Sequence, residues 1–236
     1  MYVKVISDNL TKKGLEPGPG FSCLVGNKIL FDTGESSHSL IANMDRMMVS
    51  IPEIEAVVIS HEHWDHTGGL WELLKRKDGL KVYACPSSSE TFKKCVKESG
   101  GKLTLVKKTV EILKGVFLTG EISDADDENP VCEQALVVKG TKGISAIVGC
   151  ARPGILKMLG YVRKTFKTDR LYMALGGFHL ENMDTDSIAG VISELRHMGI
   201  EKIAPAHCSG EKARRILHGK YHNNYIAVKA GHIIQL

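Results

Sequence analysis

The run "SHEHWDHTGG" at residues 60–69 places three imidazoles (His61, His63, His66) and the carboxylate of Asp65 within six residues. Neutral ring nitrogens and carboxylate oxygens are the donors that zinc, iron and manganese take in proteins. Histidines on an exposed turn are the ordinary alternative, but four metal-binding groups at this density call for a common cause. On an extended loop, alternation points His61 and His63 one way and lets Asp65 and His66 reach another centre. The chemistry implied is hydrolysis, because a bound metal lowers the pKa of its water and polarises a carbonyl or phosphoryl oxygen.

The flanking segments predict where this motif sits. "IEAVVIS" (54–60) is a continuous apolar run suited to a buried strand, and "GGLWELLKRKDG" (68–79) has helical spacing, so the motif falls at the carboxyl end of a strand. Upstream, "YVKVIS" (2–7) reads as a strand and "FSCLVG" and "KILFDTG" as a hairpin turning at Asn27, with "TKKGLEPGPG" (11–20) as a loop and 39–48 as a helix. Downstream, a strand at 80–85 and a helix over 86–101 precede strands near 103–106, 115–119, 133–138 and 143–149, with an acidic loop at 123–130. The last third alternates helix 154–166, strand 170–175, helix 184–198, strand 200–206, helix 210–219 and a terminal strand. This order suggests two half-domains, each a sheet backed by helices, fused face to face into one four-layer body spanning 1–236.

Composition narrows the function classes. Hydrophobic content of 43% and charged content of 25% are ordinary globular values, which argues against a disordered or fibrous chain. The net charge of +4 comes from scattered lysines and arginines, and Phe, Tyr and Trp make up only 6%, so neither a nucleic-acid stripe nor a base-stacking platform is expected. Six cysteines without a CxxC pair read as reduced thiols of a cytoplasmic protein. The N-terminus lacks the pattern of a signal peptide and no apolar run reaches membrane-spanning length, so a soluble protein acting on a small molecule is expected, with no membrane partner and no prediction of oligomeric state.

The pattern His-x-His-x-Asp-His at 61–66 resembles the metallo-β-lactamase superfamily. Asp32 in "FDTG" resembles that superfamily's early aspartate, and His207 in "PAHCSG" resembles its late histidine ligand. "GGFHL" and "PAHCSG" further resemble its branch of small metal-dependent hydrolases similar to dihydropterin-ribofuranosylaminobenzene phosphate synthase of methanopterin biosynthesis. The resemblance implies an α/β (α+β) fold, the four-layer αββα sandwich, carrying one or two divalent metal ions, zinc first, with manganese or iron as alternatives. It also implies His61 and His63 as ligands of a first metal, Asp65, His66 and His207 as ligands of a second, and Asp32 as the residue that orients a ligand histidine.

Two positions depart from the pattern. A third histidine for the first metal is expected near 152, where "GCARPGI" supplies Arg152; a bridging aspartate is expected near 179, where "LGGFHL" supplies His179. Arginine carries no lone pair for a metal. Arg152 therefore marks a weak or empty first site, or binds an anionic substrate together with the free N–H groups of the helix that follows, or faces solvent while another residue such as Cys150 takes over ligation. His179 follows two glycines and is a candidate metal ligand or hydrogen-bond donor. The catalytic assignment is Asp65, as ligand and orienter of the attacking water, with protonation of the leaving group by His179 or by water. Arg152 and the mild basicity favour a small phosphoester-like substrate, although the acidic 123–130 loop pulls the other way. The alternatives are a di-iron oxidoreductase on the same fold and a binding or sensor module with a degenerate metal site.

Overall fold

A computed structural model describes residues 1–123 and 131–236, so the acidic loop read at 123–130 lies, from residue 124 onward, outside the described residues. The chain divides into two compact units, one formed by 1–108 with 229–235 and the other by 109–228 with Leu236.

The first unit is built on a seven-stranded sheet. Its strands are β1 (Tyr2–Ser7), β2 (Ser22–Val25), β3 (Ile29–Phe31), β4 (Ala56–Val58), β5 (Lys81–Ala84) and β6 (Lys102–Leu105), joined by the C-terminal β13 (Ile233–Gln235) in the order β13-β1-β2-β3-β4-β5-β6. Pairing is antiparallel from β13 to β3 and parallel from β3 to β6. The parallel half needs crossovers, and α1 (Ser37–Arg46), α3 (Leu70–Arg76) and α4 (Glu90–Glu98) supply them. Ser36 caps α1 by accepting from the Ser39 N–H, and Ser89 caps α4 by accepting from the Phe92 N–H. Leu40, Met44, Leu70, Leu73 and Val96 bury their side chains with Leu30 and Val57 of the sheet, each fully buried Leu contributing about 2 kcal/mol.

The loop at 11–20 is fastened to α1 rather than hanging from the strands. Asn43, fully buried, donates through Nδ2 to the Ile6 and Glu16 carbonyls at 2.9 Å each and accepts from the Glu16 N–H at 2.8 Å. A buried amide with both its functions satisfied fixes the loop's path.

The second unit repeats the plan with β7 (Val110–Leu113), β8 (Val116–Leu118), β9 (Leu136–Gly140), β10 (Gly143–Val148), β11 (Leu171–Gly177) and β12 (Ile200–Ala206), ordered β12-β11-β10-β9-β8-β7. Here β7 to β10 pair antiparallel and β10 to β12 parallel. The helices are α5 (Ile155–Phe166), α6 (Thr185–His197) and α7 (Glu211–Tyr221). Asp184 caps α6 through the Ser187 N–H at 2.8 Å. Met158, Leu159, Ile188, Ile192 and Leu217 pack with Val148 and Ala174 of the sheet. Strand β7 was absent from the sequence reading because its burial is partial and its residues, "VEIL", are too short a run to announce a strand. Among the described residues no helix is long and apolar enough to cross a membrane, and all six cysteines are free thiols.

In both units the chemically interesting residues fall after the parallel strands. Asp32 follows β3, the motif at 61–66 follows β4, and "GCARPG", "FHL" and "HCS" follow β10, β11 and β12. Loops at the carboxyl ends of parallel strands are where such sheets carry their sites.

Candidate metal centre

In the first unit the motif is half extended and half helical. His61 and His63 precede a single turn, α2 (Trp64–Thr67), in which the His63 carbonyl accepts from the His66 N–H at 2.9 Å and the Thr67 hydroxyl at 3.1 Å. This corrects the expectation of a loop throughout: helical rotation, not strand alternation, sets the directions of Asp65 and His66. Gly20 approaches this turn so closely that any Cβ there would overlap the Asp65 carbonyl, and its φ of +89° suits glycine alone.

Asp32 organises the cluster. It is fully buried, with a φ of 53°, and its carboxylate accepts from the Ser60 N–H, the Ser60 hydroxyl and His66 Nδ1, each at 2.7 Å. Three hydrogen bonds offset the cost of burying this carboxylate. They also set protons. Because a carboxylate only accepts, His66 carries its proton on Nδ1 and its lone pair on Nε2. The single hydroxyl hydrogen of Ser60 goes to Asp32, so Ser60 accepts from His61 Nδ1 at 2.9 Å, and His61 likewise bears its lone pair on Nε2.

Those two nitrogens lie among the remaining members of the motif. His61 Nε2 is 3.1 Å from His63 Nδ1, the His61 and His66 ring centroids are 4.3 Å apart, and His66 Nε2 is 3.8 Å from an Asp65 carboxylate oxygen. The structure thus brings Asp32, His61, His63, Asp65 and His66 together. Their donor set fits a divalent metal, since both buried imidazoles are held in the tautomer that ligation requires.

In the second unit the loop after β10 wraps around one carboxylate. Glu133, fully buried, accepts through Oε1 from the N–H groups of Gly149 (2.8 Å), Cys150 (3.0 Å) and Ala151 (3.1 Å), and through Oε2 from that of Arg152 (3.0 Å). The N–H groups of 149–152 are therefore committed to Glu133. The N–H groups expected to be free for an anion beside Arg152 can come only from the helix that starts at Ile155. The role of Glu133 left one trace in the sequence, an acidic residue two positions before the apolar run 135–138.

Arg152 does not simply face solvent. Its Nη1 donates to His179 Nε2 at 3.2 Å, so His179 holds its proton on Nδ1. His179 is exposed and, like His207 and Ala151, has a left-handed backbone, with φ values of 55°, 43° and 52° respectively. His207 and Cys208 lie in a 3-10 turn, His207–Ser209, rather than in the extended segment expected. Cys208 Sγ sits 3.3 Å from Cys150 Sγ. The hydrogen bond shared by the two thiols pulls Cys208 down to about 4, against its burial, with hydrogen bonds from His179 and the charge of His207 acting in the same direction.

Comparison with known proteins gives the family of the fold. A family model described as the metallo-β-lactamase superfamily matches residues 15–140. The chain is 26% identical over 250 residues to 7,8-dihydropterin-6-methyl-4-(β-D-ribofuranosyl)-aminobenzene-5′-phosphate synthase of Methanocaldococcus jannaschii, covering 89% of this chain and 85% of that protein. Among solved structures it resembles Tm1679, described as a metal-dependent hydrolase of the β-lactamase superfamily, with a TM-score of 0.85 and 27% identity over 100% of this chain and 99% of that one. The fold is shared with Zn²⁺-bound PqqB from Methylobacterium extorquens at a TM-score of 0.67 and 14% identity, covering 100% of each chain. The motif at 61–66, its buried aspartate and the α/β fold that carries them place the chain in the metallo-β-lactamase superfamily.

Proposed function

We propose that the protein is a metal-dependent hydrolase of a small, anionic, phosphoester-like substrate. The observation that carries this reading is the Asp32 network, which engages Nδ1 of both His66 and His61 and turns their Nε2 atoms toward Asp65 and His63. His61, His63, Asp65 and His66 are the residues that would hold a divalent metal, zinc first, with His207 included on family correspondence and Asp32 as the orienting carboxylate. When bound, the metal supplies a low-pKa water and polarises the scissile group.

The protein's own residues do the rest. Asp32 and Ser60 engage Nδ1 of both imidazoles and fix the rings in direction, so no reorganisation is needed when charge develops. Asp65, 16% exposed at its side chain, offers a carboxylate at the solvent edge of the motif to orient the attacking water. Arg152 is prepared for an anion in two ways: its backbone is pinned by Glu133 and its guanidinium is steadied by His179. A guanidinium held in place loses less freedom on gripping a phosphate or carboxylate. Because the proton of His179 is on Nδ1 and its side chain already serves Cys208, protonation of the leaving group is assigned to water.

The relative from Methanocaldococcus jannaschii is named for a product bearing a 5′-phosphate, which supports a phosphorylated substrate here. The test is turnover of a panel of phosphomonoesters and phosphodiesters by chelator-stripped protein reloaded with zinc or manganese. Metal-dependent turnover is expected for at least one phosphoester; hydrolysis confined to uncharged esters would remove the anionic-substrate reading.

A further inference from the structure

We propose that Cys150, His179 and Cys208 form a binding site for a thiophilic metal ion of the zinc type, with ligands drawn from none of residues 61–66. One donor atom from each of the three lies within 4.8 Å of the other two. Two sulfurs and an imidazole are softer donors than the imidazoles and carboxylate of the motif, and such sites select zinc, cadmium or cuprous copper over magnesium, calcium or manganese.

The sulfur separation distinguishes a chelating pair from a latent disulfide. Tetrahedral thiolates bound to zinc at about 2.3 Å stand about 3.8 Å apart, whereas a disulfide requires about 2.05 Å. The observed 3.3 Å needs a small opening to admit an ion but a closure of more than an ångström to form the S–S bond. The surroundings maintain that spacing. Glu133 fixes the Cys150 backbone N–H at 3.0 Å, and Gly177 leaves room for Cys208, because a Cβ there would stand 2.7 Å from the Cys208 sulfur. Cys150 is 5% exposed, Cys208 is half-buried and His179 is exposed, so the cluster has a protected sulfur floor and a solvent-facing imidazole. A metal entering past His179 would bind both sulfurs as thiolates and release any protons they carry to solvent.

Arg152 opposes occupancy. It donates to His179 Nε2, so an ion taking that nitrogen must displace the guanidinium, and an ion taking Nδ1 must reverse the tautomer and remove Arg152's acceptor. Either route weakens binding, and the guanidinium's positive charge adds to the effect.

The test is Co²⁺ titration of the full, reduced chain, followed by X-ray absorption at the cobalt edge. The expected result is a sulfur-to-cobalt charge-transfer band and two sulfur scatterers at about 2.3 Å, a signature the motif at 61–66 cannot give. Cys150→Ser and Cys208→Ser should each remove one sulfur and weaken binding about tenfold or more, and Arg152→Ala should tighten it. Cobalt bound by nitrogen and oxygen alone in the native chain would overturn the proposal, and that measurement does not depend on any variant folding. A sulfur count left unchanged in both serine variants would overturn it equally.

Discussion

Glu133 Oε2 accepts the backbone N–H of Arg152 at 3.0 Å, while its other oxygen holds the three residues before it. One buried side chain thus sets the path of the whole "GCAR" loop, and with it the positions of Cys150 and Arg152. Removing it strands four N–H groups. Glu133→Ala is expected to cost about 3 kcal/mol or more, lowering the melting temperature by about 10 °C. Glu133→Gln should recover only part of this, because its amide NH₂ replaces an acceptor with a donor facing N–H groups. Calorimetry of both variants checks the order; a Gln variant as stable as the native chain would contradict the account.

Asp32→Asn tests whether the buried carboxylate sets the histidine tautomers. The amide can still accept from Ser60, but it no longer requires His66 to protonate at Nδ1. Metal affinity, read by competition with a chromophoric chelator, should fall about 10- to 100-fold. Unchanged affinity would mean that the network is structural only.

Much of this was legible in advance, and the reason differs by residue. The 61–66 motif is contiguous and follows a strand, so local spacing carried it, whereas Asp32, 28 to 34 residues from its partners, was legible only through the resemblance of "FDTG" to the family pattern. The helices announced themselves through the cap at Asp184, the proline and glycines that bracket 86–101 and apolar spacing, with ends that differ from expectation by up to four residues. Glu133 was invisible because its partners lie 16 to 19 residues away and are backbone groups, which leave no mark on side-chain type. The contact of Cys150 with Cys208 spans 58 residues and depends on the parallel register of β10, β11 and β12, which periodicity does not fix.

Arg152 separates an anion grip from a lost ligand. Arg152→Ala should raise KM for anionic substrates about tenfold with a smaller change in kcat, as expected when ground-state binding is removed. Arg152→His should increase bound metal per chain if the position is a lost ligand. Elemental analysis and steady-state kinetics on the same preparations decide between them: a rise in metal without a rise in KM would remove the anion-binding role.

Tyr221 predicts an alkaline signature. Burial raises its phenol to about 12, with Arg196 acting in the opposite sense, and its buried hydroxyl has no hydrogen-bond partner among the described residues. An unfolded phenol ionises near ~10, so between that pH and about 12 the unfolded chain has lost a proton that the fold retains. The stability associated with the neutral phenol is intact below pH ~10 and drains away as pH rises through this window. Tyr221→Phe should be at least as stable as the native protein at neutral pH, and increasingly more stable toward pH 12. Parallel stability–pH curves for the two proteins would contradict this.

The central claim is that the motif around His66 makes this a metal-dependent hydrolase, and the most direct measurement is phosphoester turnover by the native chain and His66→Ala, each stripped and then reloaded with zinc or manganese. The account predicts no turnover without metal, recovery on reloading the native chain, and a loss of about a thousandfold or more in the variant. Equal turnover by stripped and reloaded protein, or a correctly folded His66→Ala variant as active as the native chain, would contradict it.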